Sequence, residues 1–253
     1  MKNILKIEIS DNTYLLFLVA MLAGYFKSVF LIMIVVFIHE FGHVFFFKLF
    51  KIEIVKISLY PFGGITLINK KIHERIYKDV ICCLGGIFFQ ILFFFFVHFV
   101  YIKGYLTFNT YELLKLYNYT IIVFNLIPMV PLDGSKLLFA VCTKFFSFKK
   151  SYLIMCICSF VSLILFIIYN MVFKLNDIIL YLFLGFMLIK TIKEFKYVMN
   201  KFYLERVLYD HYYDGIVNND IDIDCFRIDK YYYFKDGKGL KNEKKYLLEK
   251  YFN

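Results

Sequence analysis

The sequence predicts an all-α polytopic membrane protein of about six transmembrane helices, with a small membrane-associated β-hairpin and a short cytoplasmic C-terminal tail. Three observations lead there. Of 253 residues, 61% are hydrophobic and 22% aromatic, against about 45–50% apolar in a water-soluble domain. The excess sits in blocks long enough to cross a bilayer, which takes roughly 20 apolar residues per helix. Lys and Arg gather in the short segments between those blocks, as orienting charges do.

The expected spans run from about Tyr14 to Phe26, Ser28 to Phe50, Val80 to Ile102, Leu116 to Val130 with a continuation to Phe146, Tyr152 to Phe173, and Ile178 to Ile192. No cleavable signal peptide is evident before the first, because no small-residue cleavage site follows it. The loop after the second span carries Lys51, Lys56, Lys70, Lys71, Arg75 and Lys78. Lys144, Lys149 and Lys150 precede the fifth, and Lys193, Lys196, Lys201 and Arg206 follow the sixth. Basic residues concentrate on the cytoplasmic side, so both termini are expected there. The net charge of +10 is thereby explained by topology, and no nucleic-acid partner is expected.

Between the second and third spans, Ile52 to Ile68 alternates like a strand, turns at Pro61 and Gly63-Gly64, and resumes with β-branched residues. Two readings stand: a hairpin dipping into the membrane surface, tolerable where protein covers its backbone, or an amphipathic loop. Residues 1–198 form the expected transmembrane domain. Residues 199–253, charged and tyrosine-rich, form a small cytoplasmic module with a turn at Asp236-Gly237 and a short helix from Glu243 to Phe252. The six cysteines have no disulfide or zinc-finger spacing; five lie in or beside apolar segments, where a thiol behaves as a small hydrophobe.

The chemistry is carried by His39-Glu40-Phe41-Gly42-His43. Residues four apart on a helix project from one face, so two imidazoles can reach one zinc ion at about 2.0–2.1 Å. Glu40 is displaced to the side, where it can take a proton from water without ligating the metal. H-E-x-x-H is the metalloprotease pattern for this reason. Ionisable residues inside an apolar span are costly and mark function; the plain alternative is a polar pair joining two helices.

A catalytic zinc takes three protein ligands, and the best candidate for the third is Asp133, in Asn125-Leu126-Ile127-Pro128-Met129-Val130-Pro131-Leu132-Asp133-Gly134. The prolines break a helix there, and Gly134 leaves the backbone open beside the carboxylate. Asp133-Gly134 is otherwise a turn at the end of a span.

HEFGH in a spanning helix, followed about ninety residues later by N-x-x-P-x-x-P-L-D-G, resembles the intramembrane site-2 zinc metalloproteases, most of all the branch represented by stage IV sporulation protein FB. The resemblance covers about residues 10 to 195. It implies regulated cleavage of a membrane-associated substrate, which in that branch is a sporulation sigma-factor precursor (pro-sigma-K), with room for inhibitory membrane-protein partners. Zn2+ would be held by His39, His43 and Asp133, with Glu40 activating water. By the same resemblance Asn125 would help at the substrate or its oxyanion, Pro131 would shape the unwound segment, and Gly63 and Gly64 would belong to an element that pairs with extended substrate. The family's third-span G-P-x-x-N is here Gly86-Ile87-Phe88-Phe89-Gln90, which leaves the role of Gln90 open. The tail is too short for the nucleotide-sensing repeats of the sporulation branch, so no ATP control is expected.

The alternatives are a site-2 protease acting on another membrane-anchored regulator such as an anti-sigma factor, a zinc protease with a downstream Glu ligand such as Glu112 or Glu194, and a non-enzymatic membrane metal-binding or transport protein. A transporter would line several spans with His or carboxylates, yet the third, fifth and sixth spans offer little beyond His98. His98 itself is expected at a helix contact or the lipid interface, and His73 and His211 in solvent.

Overall fold

A computed structural model of the chain describes residues 6–9, 18–19, 22–60, 63–69, 76–173, 185, 189, 198, 200, 202–204, 206–207, 215–218, 226–228, 230–236 and 239–251. It divides into two compact units, residues Met1–Lys70 with Tyr77–Leu126, and Lys71–Ile76 with Ile127–Asn253. The chain is mostly helical.

In the first unit, strand β1 (Lys6–Ile9) precedes helix α1 (Phe26–Leu49), strands β2 (Glu53–Tyr60) and β3 (Gly63–Asn69), and helices α2 (Ile76–Ile102) and α3 (Phe108–Leu126). Helix α1 stops where Lys51 adopts a left-handed backbone, φ 58°, and turns the chain into β2. Strands β2 and β3 pair antiparallel, Tyr60 opposite Gly63, with a bulge between Ile54 and Lys56. The two glycines expected in the turn therefore open a strand; Pro61 lies outside the described residues. β1 adds parallel to β2, with Glu8 paired to Lys56. Four residues of K-I-E-I are too short to separate from an irregular leader in sequence, so this strand is a finding of the structure.

Helices α1 and α2 touch through glycine. A Cβ on Gly42 would stand 2.3 Å from the Gly85 carbonyl oxygen. Small residues at such a crossing let helix backbones approach where lipid offers no hydrophobic drive. Leu31 and Val35 of α1 bury against Val97 of α2 and Tyr111 and Leu114 of α3. The other faces stay apolar and uncovered, with Phe30, Phe37, Phe88, Phe95 and Phe96 exposed. A helix hydrophobic all round belongs in a core or a membrane.

In the second unit, helix α4 (Asp133–Phe145) packs on helix α5 (Phe148–Phe173), followed by strands β4 (Gly215–Asn218), β5 (Tyr231–Asp236) and β6 (Gly239–Asn242) and helix α6 (Glu243–Tyr251). β4 runs parallel to β5, and β5 antiparallel to β6. Phe148 stacks on Phe202 at 3.8 Å and joins Phe226, Ile228, Tyr232 and Leu247 in one core, so the tail is fastened to the start of α5. Arg206 is buried over the rings of Phe202, Phe226 and Tyr232. It pairs with buried Glu243 and donates to the carbonyls of Arg227 and Lys230.

Among the described residues three helices are long and apolar enough to cross a membrane: α1, α2 and the Phe148–Val172 stretch of α5. The expected sixth span falls almost entirely outside the described residues, and the expected first is described only in part, with a turn at Ala23-Gly24 just before α1. The expected fourth starts earlier, at Phe108, and is interrupted at 127–132, where the two prolines are expected to break it. Pro128 and Pro131 cannot donate to a helical ladder, and each disfavours helical backbone in the residue before it.

Candidate metal centre

His39 and His43 lie one turn apart on α1, both buried, with Glu40 half-buried beside them. Gly86 of α2 is what gives the rings room. A Cβ at Gly86 would stand 2.5 Å from His39 Cε1 and 2.7 Å from His43 Nε2. The imidazoles thus rest against bare helix backbone.

Their protonation follows from their partners. His43 Nδ1 is 2.8 Å from the Cys82 carbonyl oxygen; a carbonyl only accepts, so Nδ1 carries the proton. His39 Nδ1 is 2.9 Å from Gln90 Oε1. The two Nε2 atoms face each other at 3.1 Å, with the rings almost perpendicular at 83°. A neutral imidazole that donates through Nδ1 presents a lone pair at Nε2. Two lone pairs at that distance repel unless a proton or cation lies between them. Two nitrogens bound tetrahedrally at about 2.0–2.1 Å from zinc stand about 3.3 Å apart, so the pair fits such an ion.

Asp133 opens α4, buried, where the positive end of the helix dipole favours a carboxylate. Its Oδ1 is 2.8 Å from Lys136 Nζ. The segment before it is held from α5: the Ser159 hydroxyl accepts the Val130 N–H at 3.1 Å and lies 2.9 Å from the Met155 carbonyl and 3.3 Å from that of Pro128. Pro131 sits in this segment after a cis peptide bond. His39, His43 and Asp133 are buried residues of metal-ligating type that could bind a metal ion.

The remaining site candidates are placed as follows. Asn125 lies in the last turn of α3, its Nδ2 donating to the Ile121 carbonyl at 3.1 Å. Gly63 and Gly64 oppose Tyr60 and Leu59 in the hairpin. His98 is hydrogen-bonded to Tyr111 Oη at 3.0 Å, a contact between α2 and α3.

Four supporting groups escaped the sequence reading or were left without a role in it. The Cys82 carbonyl is a backbone atom with no sequence signal. Gly86 had a signal, as the first residue of the third-span pattern. Gln90 stood out as a polar residue in an apolar run. Ser159 had none, because one hydroxyl in a helix is commonplace.

No family model matches the chain. It is 27% identical over 208 residues to stage IV sporulation protein FB of Bacillus subtilis, covering 80% of this chain and 72% of that protein. It is 31% identical over 152 residues to a zinc metalloprotease of Methanocaldococcus jannaschii, covering 55% of this chain and 43% of that one. The solved site-2 protease from Methanocaldococcus jannaschii superposes with a TM-score of 0.58 at 24% identity, over 77% of this chain and 93% of that chain. Three apolar helices and these relatives make the chain an integral membrane protein. Its relatives support an intramembrane metalloprotease. In sequence the chain resembles the site-2 zinc metalloproteases and their stage IV sporulation protein FB branch, and it carries the site-2 protease fold.

Proposed function

We propose that the chain is an intramembrane zinc endopeptidase that cleaves a membrane-associated protein in a regulated step, the substrate being a sporulation sigma-factor precursor of the pro-sigma-K kind. The carrying observation is the pair of buried imidazoles whose Nε2 atoms face each other at 3.1 Å while each Nδ1 has an oxygen partner. The substrate class rests on the resemblance to stage IV sporulation protein FB.

In this reading His39, His43 and Asp133 hold Zn2+. The bound ion supplies a Lewis acid that brings the pKa of water to about 7. Glu40, one residue after the first ligand, accepts a proton from the attacking water and returns it to the departing amine. Asn125 keeps one Nδ2 hydrogen beyond the bond to Ile121, and offers it to developing negative charge on the scissile carbonyl. Pro131 keeps the stretch before Asp133 out of a helix. Gly63 and Gly64 belong to a strand that can hold an unwound substrate extended. Residues 1–198 serve as the multi-pass catalytic domain and 199–253 as a cytoplasmic module, with both termini on that side.

The test is Glu40→Gln in the full-length protein, co-expressed with a pro-sigma-K-type precursor. The variant should keep its zinc and fold and produce no cleaved product. Product at the wild-type level would remove Glu40 from its role.

A further inference from the structure

Gln90 lies in the middle of α2, completely buried, in a helix apolar enough to cross a membrane. Its Oε1 faces His39 Nδ1 at 2.9 Å. Its Nε2 has no hydrogen-bond partner among the described residues. An unsatisfied buried amide is a net cost to stability, which an apolar side chain of similar size would remove. Fold stability is therefore a poor reason for a glutamine here. Asn118 of α3 donates from Nδ2 to the Gln90 backbone carbonyl at 3.2 Å, which ties that turn of α2 to a second helix and fixes where the carboxamide starts.

From these contacts we infer that Gln90 is a positioning residue for His39. Its carbonyl oxygen accepts a hydrogen bond from His39 Nδ1–H, which keeps the proton on Nδ1, leaves the lone pair on Nε2 and sets the ring plane toward His43. The opposite amide orientation would present N–H to Nδ1 and put the histidine proton on Nε2, where it would block a metal. A partner on the far nitrogen of a ligating histidine commonly changes metal affinity by about 10–100-fold. Here the partner is a neutral amide, which gives orientation without placing a second charge in the membrane. The inference rests on the reading of His39 as a zinc ligand.

The experiment measures zinc affinity by chelator competition, with zinc alone as the probe, on the purified full-length protein in detergent. Thermal unfolding of the metal-free protein is followed in parallel. Gln90→Leu should weaken zinc binding about 10–100-fold while the metal-free protein melts at the same temperature or higher. Gln90→Glu, which keeps an acceptor oxygen at the same reach, should restore affinity to within about threefold of wild type. In a His39→Ala background, Gln90→Leu should cause no further loss.

Wild-type affinity in Gln90→Leu would overturn the inference, as would an equal loss in the His39→Ala background or a Gln90→Glu variant as weak as Gln90→Leu. Failure of both Gln90→Leu and Gln90→Met to fold would also overturn it, by making Gln90 a structural residue. Undiminished zinc in His39→Ala alone would instead remove the reading on which it rests.

Discussion

Replacing Gly86 by alanine puts a methyl group where two imidazoles now lie. The new Cβ would stand 2.5 Å from His39 Cε1, 2.6 Å from His39 Nδ1 and 2.7 Å from His43 Nε2. Carbon contacts are comfortable from about 3.5 Å, so the rings or the helix must give by about 0.8–1 Å. Sites of this kind tolerate displacements of about 0.5 Å. Two effects oppose each other. Alanine in a helix interior gains about 1 kcal/mol over glycine, whereas forced overpacking costs about 1–3 kcal/mol. The rings are held from beyond by Gln90 and the Cys82 carbonyl, so the strain falls on their geometry. At about 1.4 kcal/mol per decade, a 1–3 kcal/mol cost lowers zinc affinity about 5- to 140-fold. Chelator competition on the detergent-purified protein reads that number, with helix content as the control for folding. Wild-type zinc affinity in Gly86→Ala, together with a raised melting temperature, would refute the claim that the glycine crossing shapes the site.

Other parts of the chain give further expectations. Gly42→Ala meets backbone, not a side chain, at 2.3 Å, so it should disturb the α1–α2 crossing itself; a fully folded, unshifted variant would contradict that. Ser159→Ala strands the Val130 N–H and should lower stability by about 1–3 kcal/mol, read by thermal unfolding in detergent, with no change counting against the proposed clasp. Burial pushes the Glu243 carboxyl above its ordinary range, with Arg206 and the Tyr232 N–H pulling it back only in part. A raised folded pKa means folding favours the protonated form, so this contribution is fully present below the unfolded value and is lost as pH rises through the folded one. Limited proteolysis of the tail should accordingly slow as pH falls from neutral into the raised range, and Glu243→Gln should abolish that dependence; faster cleavage on acidification would reverse the sign.

What was legible in the sequence was local. His39 and His43 meet because a helix repeats every 3.6 residues, and five consecutive letters show it. The break before Asp133 is equally local, since Pro128 and Pro131 act on their own and the preceding backbone. The ends of α1, α2 and α5, at Leu49, Ile102 and Phe173, lie within a residue of where the apolar runs stop, whereas α2 and α5 begin about four residues before theirs, at Ile76 and Phe148. What was hidden depends on residues distant in the chain or on backbone atoms. Gln90 meets His39 across 51 positions, and Cys82 meets His43 through a carbonyl that every residue has. β1 is a strand only because β2 offers an edge. Arg206 looked like one more cytoplasmic charge, yet it is buried against Glu243, 37 positions away, among aromatic rings that no linear pattern groups together.

The proposed zinc site consists of two imidazoles of α1 and the carboxylate that opens α4. Metal analysis of the purified full-length protein, wild type beside His39→Ala, His43→Ala and Asp133→Ala, tests it most directly. Equimolar zinc in the wild type and its loss from all three variants, with helix content unchanged, is the expected result. Full zinc retention by folded Asp133→Ala would contradict the account by giving the third ligand to another residue.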